Sequence, residues 1–142
     1  DDLRENKVLI MGARNFSEHF IDHNPENGIY MTTDDGSLGI HGNVLDPLKI
    51  VLKDVDSKEI KIFACGPPGM MEAVRQFSIR QNIECDLALE TLMACGFGIC
   101  QGCTVEFDNK KKIIEHSYRN RFGLVCMDGP IFGSKEIKSC HL

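Results

Sequence analysis

The stretch Met93–Cys103, MACGFGICQGC, determines how the carboxyl-terminal part of this chain is interpreted. Cys95, Cys100 and Cys103 form a C-x4-C-x2-C array, and Cys126 follows after 22 intervening residues. This is the plant-type spacing for four thiolates around one [2Fe–2S] cluster. Because each iron of such a cluster takes two thiolates, three ligands on one tight loop and a fourth from elsewhere complete the site.

The glycines of this stretch support the same interpretation. Gly96, Gly98 and Gly102 remove side chains where the backbone must approach bridging sulfides, and glycine permits positive φ angles at little cost. Loop N–H groups can then point at an anionic cluster, where hydrogen bonds to sulfur help to set its potential. The sequence therefore predicts Cys95, Cys100, Cys103 and Cys126 as cluster ligands.

Other uses of these cysteines remain open. Four cysteines could bind a structural zinc ion, although zinc sites usually take paired C-x2-4-C hooks and only one C-x2-C hook, Cys100 with Cys103, is present here. Disulfides or unligated thiols are a further alternative, but seven cysteines is an odd number and disfavours a full disulfide framework. Cys85 and Cys140 are predicted to have no ligand role.

Composition narrows the classes of function. The chain has 142 residues, 42% of them hydrophobic, and a net charge of −5, which argues against a nucleic-acid or anionic-membrane partner. No apolar run approaches the roughly 18 residues of a membrane span, and no signal-peptide pattern opens the chain. These features favour a reducing cytoplasm, where thiols serve metals. The basic run 110–112 is predicted to be a solvated hairpin tip.

Strands and helices alternate in the first 90 residues, which predicts an α/β fold with a parallel sheet and covering helices. Ser17 is expected to cap a short helix that runs to about Asp22. The predicted strands are 7–11, 28–33, 59–65 and 85–90, and the predicted longer helices are 44–52 and 70–81.

The alternation of strands and helices ends after Glu90, which predicts a domain boundary between residues 1–90 and 91–142. The second part is expected to be small, mostly β and loop, and to carry the cluster. Its predicted elements are a hairpin of 104–107 with 112–116, a strand at 123–126, a turn at 128–130 and an apolar anchor at 131–132.

A nucleotide site is predicted at the carboxyl ends of the parallel strands, because ligands bind there in open α/β sheets. Hydroxyls and carboxylates can hold ribose, an arginine can meet a phosphate, and glycines let a flat ring approach the backbone. Each turn alone could be an ordinary turn, and the glycine spacing is not the G-x-G-x-x-G fingerprint. The candidates are Gly12, Arg14, Thr33, Asp34, Asp35, Gly36, Ser37, Cys65, Gly66, Pro67 and Pro68.

Four motifs together resemble a known family. They are TDDGSLG at 33–39, FACGP at 63–67, LETLMACGFGICQGC at 89–103 and CMDGPIF at 126–132. The chain resembles the electron-transfer subunit of NAD-dependent, two-subunit dihydroorotate dehydrogenases. The same family includes the gamma-type NAD(P)H-reductase subunits of cytoplasmic hydrogenases and sulfhydrogenases. The cluster motif with CMDGPIF is specific, whereas the other two are shared with the wider ferredoxin-reductase superfamily.

The resemblance implies an FAD-binding β-barrel, then a nicotinamide-nucleotide domain of ferredoxin-reductase type, then a [2Fe–2S] domain. It implies that the four cysteines named above are the cluster ligands and that 33–37 and 65–68 line the nucleotide. Cys65 would lie closest to the meeting point of nicotinamide and flavin. The chain departs from the pattern because no barrel and no glycine-rich first strand-turn precede Lys7. The segment between Cys103 and Cys126 is also longer than the family pattern.

The expected function follows from this resemblance. The chain is expected to carry electrons between NAD(P)H, FAD and the redox centre of a partner, either a dihydroorotate dehydrogenase or a hydrogenase-type subunit, as an oxidoreductase component. Its other expected partner is its own amino-terminal FAD domain. Because Asp34 and Asp35 accompany a single candidate cation, Arg14, NAD is favoured over NADP. The rival classes are a zinc-stapled, non-redox binding module and an enzyme with Cys65 as nucleophile, which lacks a histidine placed to activate it.

Overall fold

The computed structural model describes residues 7–53, 55–108 and 120–141. The chain divides into two compact units, Asp1–Val55 and Asp56–Leu142. The α/β fold class is confirmed, with the described strands divided between a sheet in each unit and a small hairpin in the second. The predicted boundary after residue 90 lies inside the second unit, and as a domain boundary it stays a prediction.

The first unit contains a three-stranded parallel sheet in the order β1-β2-β3. Met31, Thr32 and Thr33 are fully buried in it. The strands are β1 (Leu9–Ala13), β2 (Ile29–Thr33) and β3 (Ile40–His41), followed by the helix α1 (Leu45–Val51). The turns carry the 3-10 helices Phe16–Glu18 and Pro25–Asn27.

The second unit is built around a mixed sheet in the order β4-β5-β8. After the 3-10 helix Ser57–Glu59, the elements are β4 (Lys61–Cys65), α2 (Pro68–Gln81), β5 (Glu84–Ala88) and, later, β8 (Ile131–Gly133). β4 pairs parallel with β5, and β8 pairs antiparallel with β5. Met71 and Val74 of α2 are buried, as are Cys85 and Leu87 on β5. These positions match the 3.6-residue period of a helix and the two-residue period of a strand.

A small hairpin follows the cysteine-containing segment 91–103. β6 (Thr104–Glu106) pairs antiparallel with β7 (Phe122–Leu124), which runs into the short helix α3 (Val125–Asp128). The prediction of a strand at 123–126 is therefore wrong at its end. The Asp128 carboxylate accepts the Leu124 N–H at 2.7 Å, which favours a helical turn over a continued strand. Cys126 lies on that turn.

A charged pair on α2 holds the chain that follows β8. Arg75 donates from Nη1 to the carbonyl oxygens of Ser134 and Ile137, at 3.3 and 3.1 Å. Glu72 accepts the backbone N–H of Cys140 at 2.9 Å and pairs with Arg75, Nη2 to Oε1, at 2.9 Å. Both side chains are largely buried. We call Glu72, Arg75 and the backbone of 134–140 the α2 clamp.

Other predicted elements agree with the structure apart from their ends. The strands predicted at 7–11, 28–33, 59–65 and 85–90 correspond to β1, β2, β4 and β5, and the two longer helices to α1 and α2. The predicted helix at Ser17 is wrong in extent, since Asn15 caps a single 3-10 turn by accepting the Ser17 N–H. The anchor at 131–132 is β8. The predicted segments 110–112 and 112–116 lie outside the described residues.

Candidate functional site

The cluster loop, which we define as 91–103, turns on residues with positive φ. Gly96 and Gly98 have φ angles of 71° and 84°, and Gln101 has a φ of 57°. At Gly98 a Cβ atom would lie 3.1 Å from Cγ of Met127, so the loop passes close to α3 there. Glycine at this position therefore satisfies both the backbone conformation and the close approach of the Cys126-bearing turn.

Two of the four predicted ligands lie side by side. The Sγ atoms of Cys103 and Cys126 are 3.3 Å apart. Cys103 directly precedes β6, and its carbonyl oxygen accepts the N–H of Val125 at 2.9 Å. Because Thr104 pairs with Leu124 in the hairpin register, the fold itself brings the two cysteines together. Two thiols at this separation fit the two-thiolate requirement of one iron in a [2Fe–2S] cluster.

The other two predicted ligands accept hydrogen bonds from the loop backbone. Cys100 donates its N–H to Sγ of Cys95 at 3.4 Å, and Gly102 donates its N–H to Sγ of Cys100 at 3.5 Å. Backbone N–H groups aimed at sulfur stabilise thiolates, which are the form that binds iron. In the described part of the chain, no three His, Cys, Asp or Glu side chains form a group that could hold a metal ion.

The acidity of the thiols follows from these contacts. The N–H groups of Cys100 and Phe97 lower the pKa of Cys95 to about 6. The backbone N–H of Cys126 is the main cause of a lowered pKa at Cys103. The pKa of Cys126 is raised, chiefly by the hydrogen bond that it shares with the Cys103 side chain. The donor set is therefore thiol-rich, and the contacts at Cys95 and Cys103 favour anionic sulfur, which fits an iron–sulfur cluster.

Apolar side chains around the cluster loop are exposed. The exposed fractions are 93% for Leu92, 61% for Phe97, 75% for Ile99 and 60% for Met127. The segment from Thr91 to Gly102 contains no charged residue. Such a patch beside candidate redox ligands is typical of an interaction surface rather than of a solvated loop.

Two further cysteines of the second unit, Cys85 and Cys140, are core residues. Cys85 and Cys140 are buried, and burial raises the pKa of Cys140 to about 12. Burial also raises the pKa of Cys85. Neutral thiols in apolar surroundings are poor metal ligands. The prediction that they have no ligand role agrees with this placement but stays a prediction.

In the first unit, several residues predicted to bind the nucleotide form hydrogen bonds with backbone groups instead. Thr33 is fully buried, donates from Oγ1 to the Leu38 carbonyl at 2.9 Å and accepts the Leu38 N–H at 3.1 Å. Asp35 accepts the N–H and the hydroxyl of Ser37, at 2.9 and 2.6 Å. Ser37 Oγ in turn accepts the Phe16 N–H at 2.7 Å. Thr33 and Ser37 therefore shape the turn, and the exposed Asp34 carboxylate is better placed for a ribose.

Gly12 and Arg14 occupy the end of the neighbouring strand. A Cβ atom on Gly12 would lie 2.9 Å from Cγ1 of Val44, so glycine is needed there for packing. The Arg14 side chain is exposed, but its Nε donates to Glu18 at 2.8 Å. The sequence pattern does not single out Glu18, because its role depends on its ion pair with Arg14, which only the structure shows. Nor does the pattern single out the 62% exposed Phe16, whose backbone is fixed to Ser37.

In the second unit, Cys65, Gly66, Pro67 and Pro68 form the turn between β4 and α2. Cys65 is exposed and lines a cavity of about 240 Å³. Gly66 has a φ of 151°, and Pro68 opens α2, where a missing N–H costs nothing. The other residues that line the cavity are Phe63, Ala64, Asp86, Ala88 and Ile131.

The histidine rings of the first unit form hydrogen bonds with backbone groups. Nε2 of His19 lies 3.0 Å from the Thr32 carbonyl oxygen, and Nε2 of His41 lies 2.9 Å from that of Asp34. His23 accepts the Met31 N–H at Nδ1, 3.0 Å away. These contacts give the three rings structural roles and supply no support for a histidine-activated Cys65.

Comparison with known proteins identifies an iron–sulfur domain in the carboxyl-terminal part of the chain. Residues 90–138 match the iron–sulfur cluster binding domain of dihydroorotate dehydrogenase B. The chain is 36% identical over 104 residues to the dihydroorotate dehydrogenase B (NAD(+)) electron transfer subunit of Streptococcus pneumoniae serotype 4, covering 73% of this chain and 36% of that protein. A probable electron transfer subunit from Methanocaldococcus jannaschii is 35% identical over 134 residues, covering 92% of this chain and 46% of that protein.

Another probable subunit of this kind, from Archaeoglobus fulgidus, is 38% identical over 111 residues, 77% of this chain and 40% of that protein. A solved structure of an NADH-dependent reduced ferredoxin–NADP oxidoreductase has a TM-score of 0.70 and 21% identity, covering 93% of this chain and 44% of that chain. This last likeness supports the fold alone. Among the described residues, no helix is long and apolar enough to cross a membrane.

The chain spans less than half the length of these curated relatives. The carboxyl-terminal match lies on the same residues that the structure arranges as a thiol-rich loop. Over most of its own length, the chain is thus similar to the electron transfer subunits of dihydroorotate dehydrogenase B, and its residues 90–138 match the iron–sulfur domain of that family.

Proposed function

We propose that this chain is part of an electron-transfer subunit that carries electrons between NAD(P)H, FAD and a partner redox enzyme through a [2Fe–2S] cluster. The observation that carries the proposal is the match of residues 90–138 to an iron–sulfur domain, with the Cys103 and Cys126 sulfurs 3.3 Å apart inside it. When bound, the cluster would supply one-electron transfer, which a hydride donor alone does not provide.

In this proposal the four cysteines of the array hold the cluster as thiolates. The N–H groups of Cys100 and Gly102 already point at sulfur, so the loop is organised to stabilise negative charge. Leu92, Phe97 and Ile99 exclude water around the exposed side of the loop when a partner docks there. No side chain of the cluster loop has to act as an acid or base.

Each unit offers its own candidate groups for a nucleotide at the ends of its strands. In the first unit, Asp34 offers an exposed carboxylate to a ribose. In the second unit, the exposed Cys65 at the end of β4 is the candidate neighbour of a nicotinamide ring. The proposal divides the chain into a nucleotide-binding part, residues 1–90, and a cluster part, residues 91–142. FAD would be held outside these residues, in the part of the relatives' length that this chain does not span.

The proposed partner is a catalytic subunit of the dihydroorotate dehydrogenase type, because the relatives' own names place them in such a complex. A hydrogenase-type partner is the alternative from the wider family, and no contact in the structure favours it. The two partners differ in their substrates and not in what this chain contributes, namely the placement of the redox centres.

Stopped-flow absorbance tests the electron path. A subunit extended to its FAD-binding part should show rapid bleaching of the cluster band with excess NADH, whereas the 142-residue chain should respond to dithionite but not to NADH. Plant-type clusters lie at about −400 mV, so direct transfer from NADH has little driving force. Rapid bleaching of the flavin-free chain by NADH would contradict the path from nucleotide through FAD to cluster.

A further inference from the structure

Glu18 engages Arg14 with both of its carboxylate oxygens. Oε1 accepts a hydrogen bond from Nε of Arg14 at 2.8 Å and lies 2.5 Å from Nη2. Oε2 accepts the backbone N–H of Arg14 at 3.1 Å. The Nε–Nη2 edge of the guanidinium, one of the edges that arginine uses to bind phosphates in a fork, is therefore occupied by a carboxylate from the same loop.

The pair is fixed by the turn around it. Glu18 ends the 3-10 helix Phe16–Glu18, which Asn15 caps by accepting the N–H and the hydroxyl of Ser17 at 3.0 and 2.6 Å. The Phe16 N–H is held by Ser37 on the turn after β2. Arg14 keeps its side chain 82% exposed, and a surface pair of this kind contributes little to stability. The Arg14–Glu18 pair matters because it limits which ligands the guanidinium can bind.

The turns around Arg14 carry mainly negative charge. Arg14 follows β1, and Asp34 and Asp35 follow the neighbouring strand β2, where the N–H of Asp35 donates to the Arg14 carbonyl at 3.3 Å. The turns 14–20 and 34–39 contain Arg14 as their only lysine or arginine, against the carboxylates of Glu18, Asp34 and Asp35. Hydrogen bonding to Arg14 lowers the pKa of Glu18, which keeps the carboxylate charged at neutral pH.

We propose that Glu18 is a specificity-determining residue, which occupies the Nε–Nη2 edge of the Arg14 guanidinium and so withholds that edge from a 2′-phosphate. This inference rests on the proposed function. It names the residue that makes the nucleotide site prefer NAD(H) to NADP(H). An arginine near the ribose accommodates the 2′-phosphate of NADP, whereas the 2′-hydroxyl of NAD is bound by an acidic group. Glu18 acts through Arg14 and is a positioning residue.

Calorimetric titration of the 142-residue chain with ADP-ribose and with 2′-phospho-ADP-ribose tests this inference. The wild type should bind ADP-ribose more tightly. Glu18→Ala should move the ratio of the two affinities about tenfold toward the 2′-phosphate compound, because it frees Arg14 and removes one negative charge. Glu26→Gln is the control, since it removes one charge from the 3-10 helix that precedes β2, at the other end of that strand.

The double variant Arg14→Gln/Glu18→Ala separates the mechanism from a general charge effect. It should return the ratio to within about threefold of the wild type, because the freed guanidinium is gone. An unchanged ratio in Glu18→Ala, or a gain that survives Arg14→Gln, would overturn the inference while ADP-ribose binding leaves the nucleotide site standing. Failure of the wild type to bind either compound would overturn the proposed nucleotide site and the inference together.

Discussion

The cluster loop and the α2 clamp lie in the same compact unit but differ in the burial of their side chains. In the loop, Leu92 and Ile99 face solvent while backbone N–H groups turn toward thiols. In the clamp, Ile137 is fully buried, and a largely buried Glu72–Arg75 pair satisfies backbone groups of the segment 134–140. The loop leaves apolar surface uncovered, and the clamp leaves little polar surface unpaired. The difference separates residues kept for binding from residues that hold the fold.

Replacing a loop thiol should have the largest effect. We expect Cys126→Ser to lose or strongly destabilise the cluster, because one iron would keep only Cys103 as a good thiolate ligand. The visible spectrum of anaerobically purified protein measures this directly. Cys85→Ser and Cys140→Ser are the controls, since both side chains are core thiols, and they should keep the spectrum. A bleached Cys140→Ser beside an intact Cys126→Ser would show that the fourth ligand is wrong.

Breaking the clamp should lower stability without touching the ligands. Glu72→Ala leaves the largely buried Arg75 unpaired and removes the acceptor of the Cys140 N–H. We expect a loss of about 3 kcal/mol in the free energy of unfolding, as for other broken buried pairs. Urea denaturation followed by circular dichroism measures it.

The matched control for the clamp is an exposed ion pair in the same unit. Glu84→Ala removes a partner of Lys61 at the surface of the sheet, and it should cost less than about 0.5 kcal/mol. Equal losses for Glu84→Ala and Glu72→Ala would remove the distinction between the clamp and an ordinary surface pair.

Acid should weaken the clamp selectively. The hydrogen bond from Arg75, followed by that from the Cys140 N–H, lowers the pKa of Glu72 from 4.5 to about 2. A group with a depressed folded-state pKa stabilises the protein fully above its unfolded pKa, and this stability is lost as pH falls from about 4.5 toward 2. We expect the stability gap between wild type and Glu72→Gln to shrink between pH 5.5 and pH 3, by at most about 2 kcal/mol. A gap that is constant over this range would contradict the assignment.

The smallest effect on stability should come from the exposed side chains of the loop. Ile99→Ala should change the free energy of unfolding by less than about 0.5 kcal/mol, because its side chain is mostly in solvent. In the intact complex it should slow electron delivery to the catalytic subunit several-fold, with NADH-driven reduction of the cluster unchanged. Ile50→Ala, an exposed isoleucine on α1 of the first unit, is the control and should slow neither step. Unchanged delivery in Ile99→Ala would show that the loop is not the docking surface.

Local patterns predict most of the described elements and single out the cysteine array. Met71 and Val74 are buried as the helical period predicts, and the cysteine spacing pointed to Cys103 and Cys126, which the hairpin brings together. The clamp could not be predicted, because Arg75 binds carbonyl oxygens 59 and 62 residues away and carbonyls carry no sequence signature.

The nucleotide candidates show a second limit of sequence reasoning. A hydroxyl at a strand end looks available for a ribose, yet Thr33 uses its hydroxyl within its own turn, both as donor and as acceptor. Arg14 looks like a free cation until its pairing with Glu18 is known. Residue type and position at a strand end indicate capacity for binding, and only the surrounding contacts tell which groups are already occupied.

The measurement that tests the central claim most directly is the metal and sulfide content of the anaerobically prepared wild-type chain, with electron paramagnetic resonance after dithionite reduction. The four-cysteine loop predicts brown protein with about two irons and two acid-labile sulfides per chain, and a rhombic signal once reduced. Colourless protein that holds one zinc ion per chain when iron is plentiful would contradict the cluster and favour a zinc-stapled module.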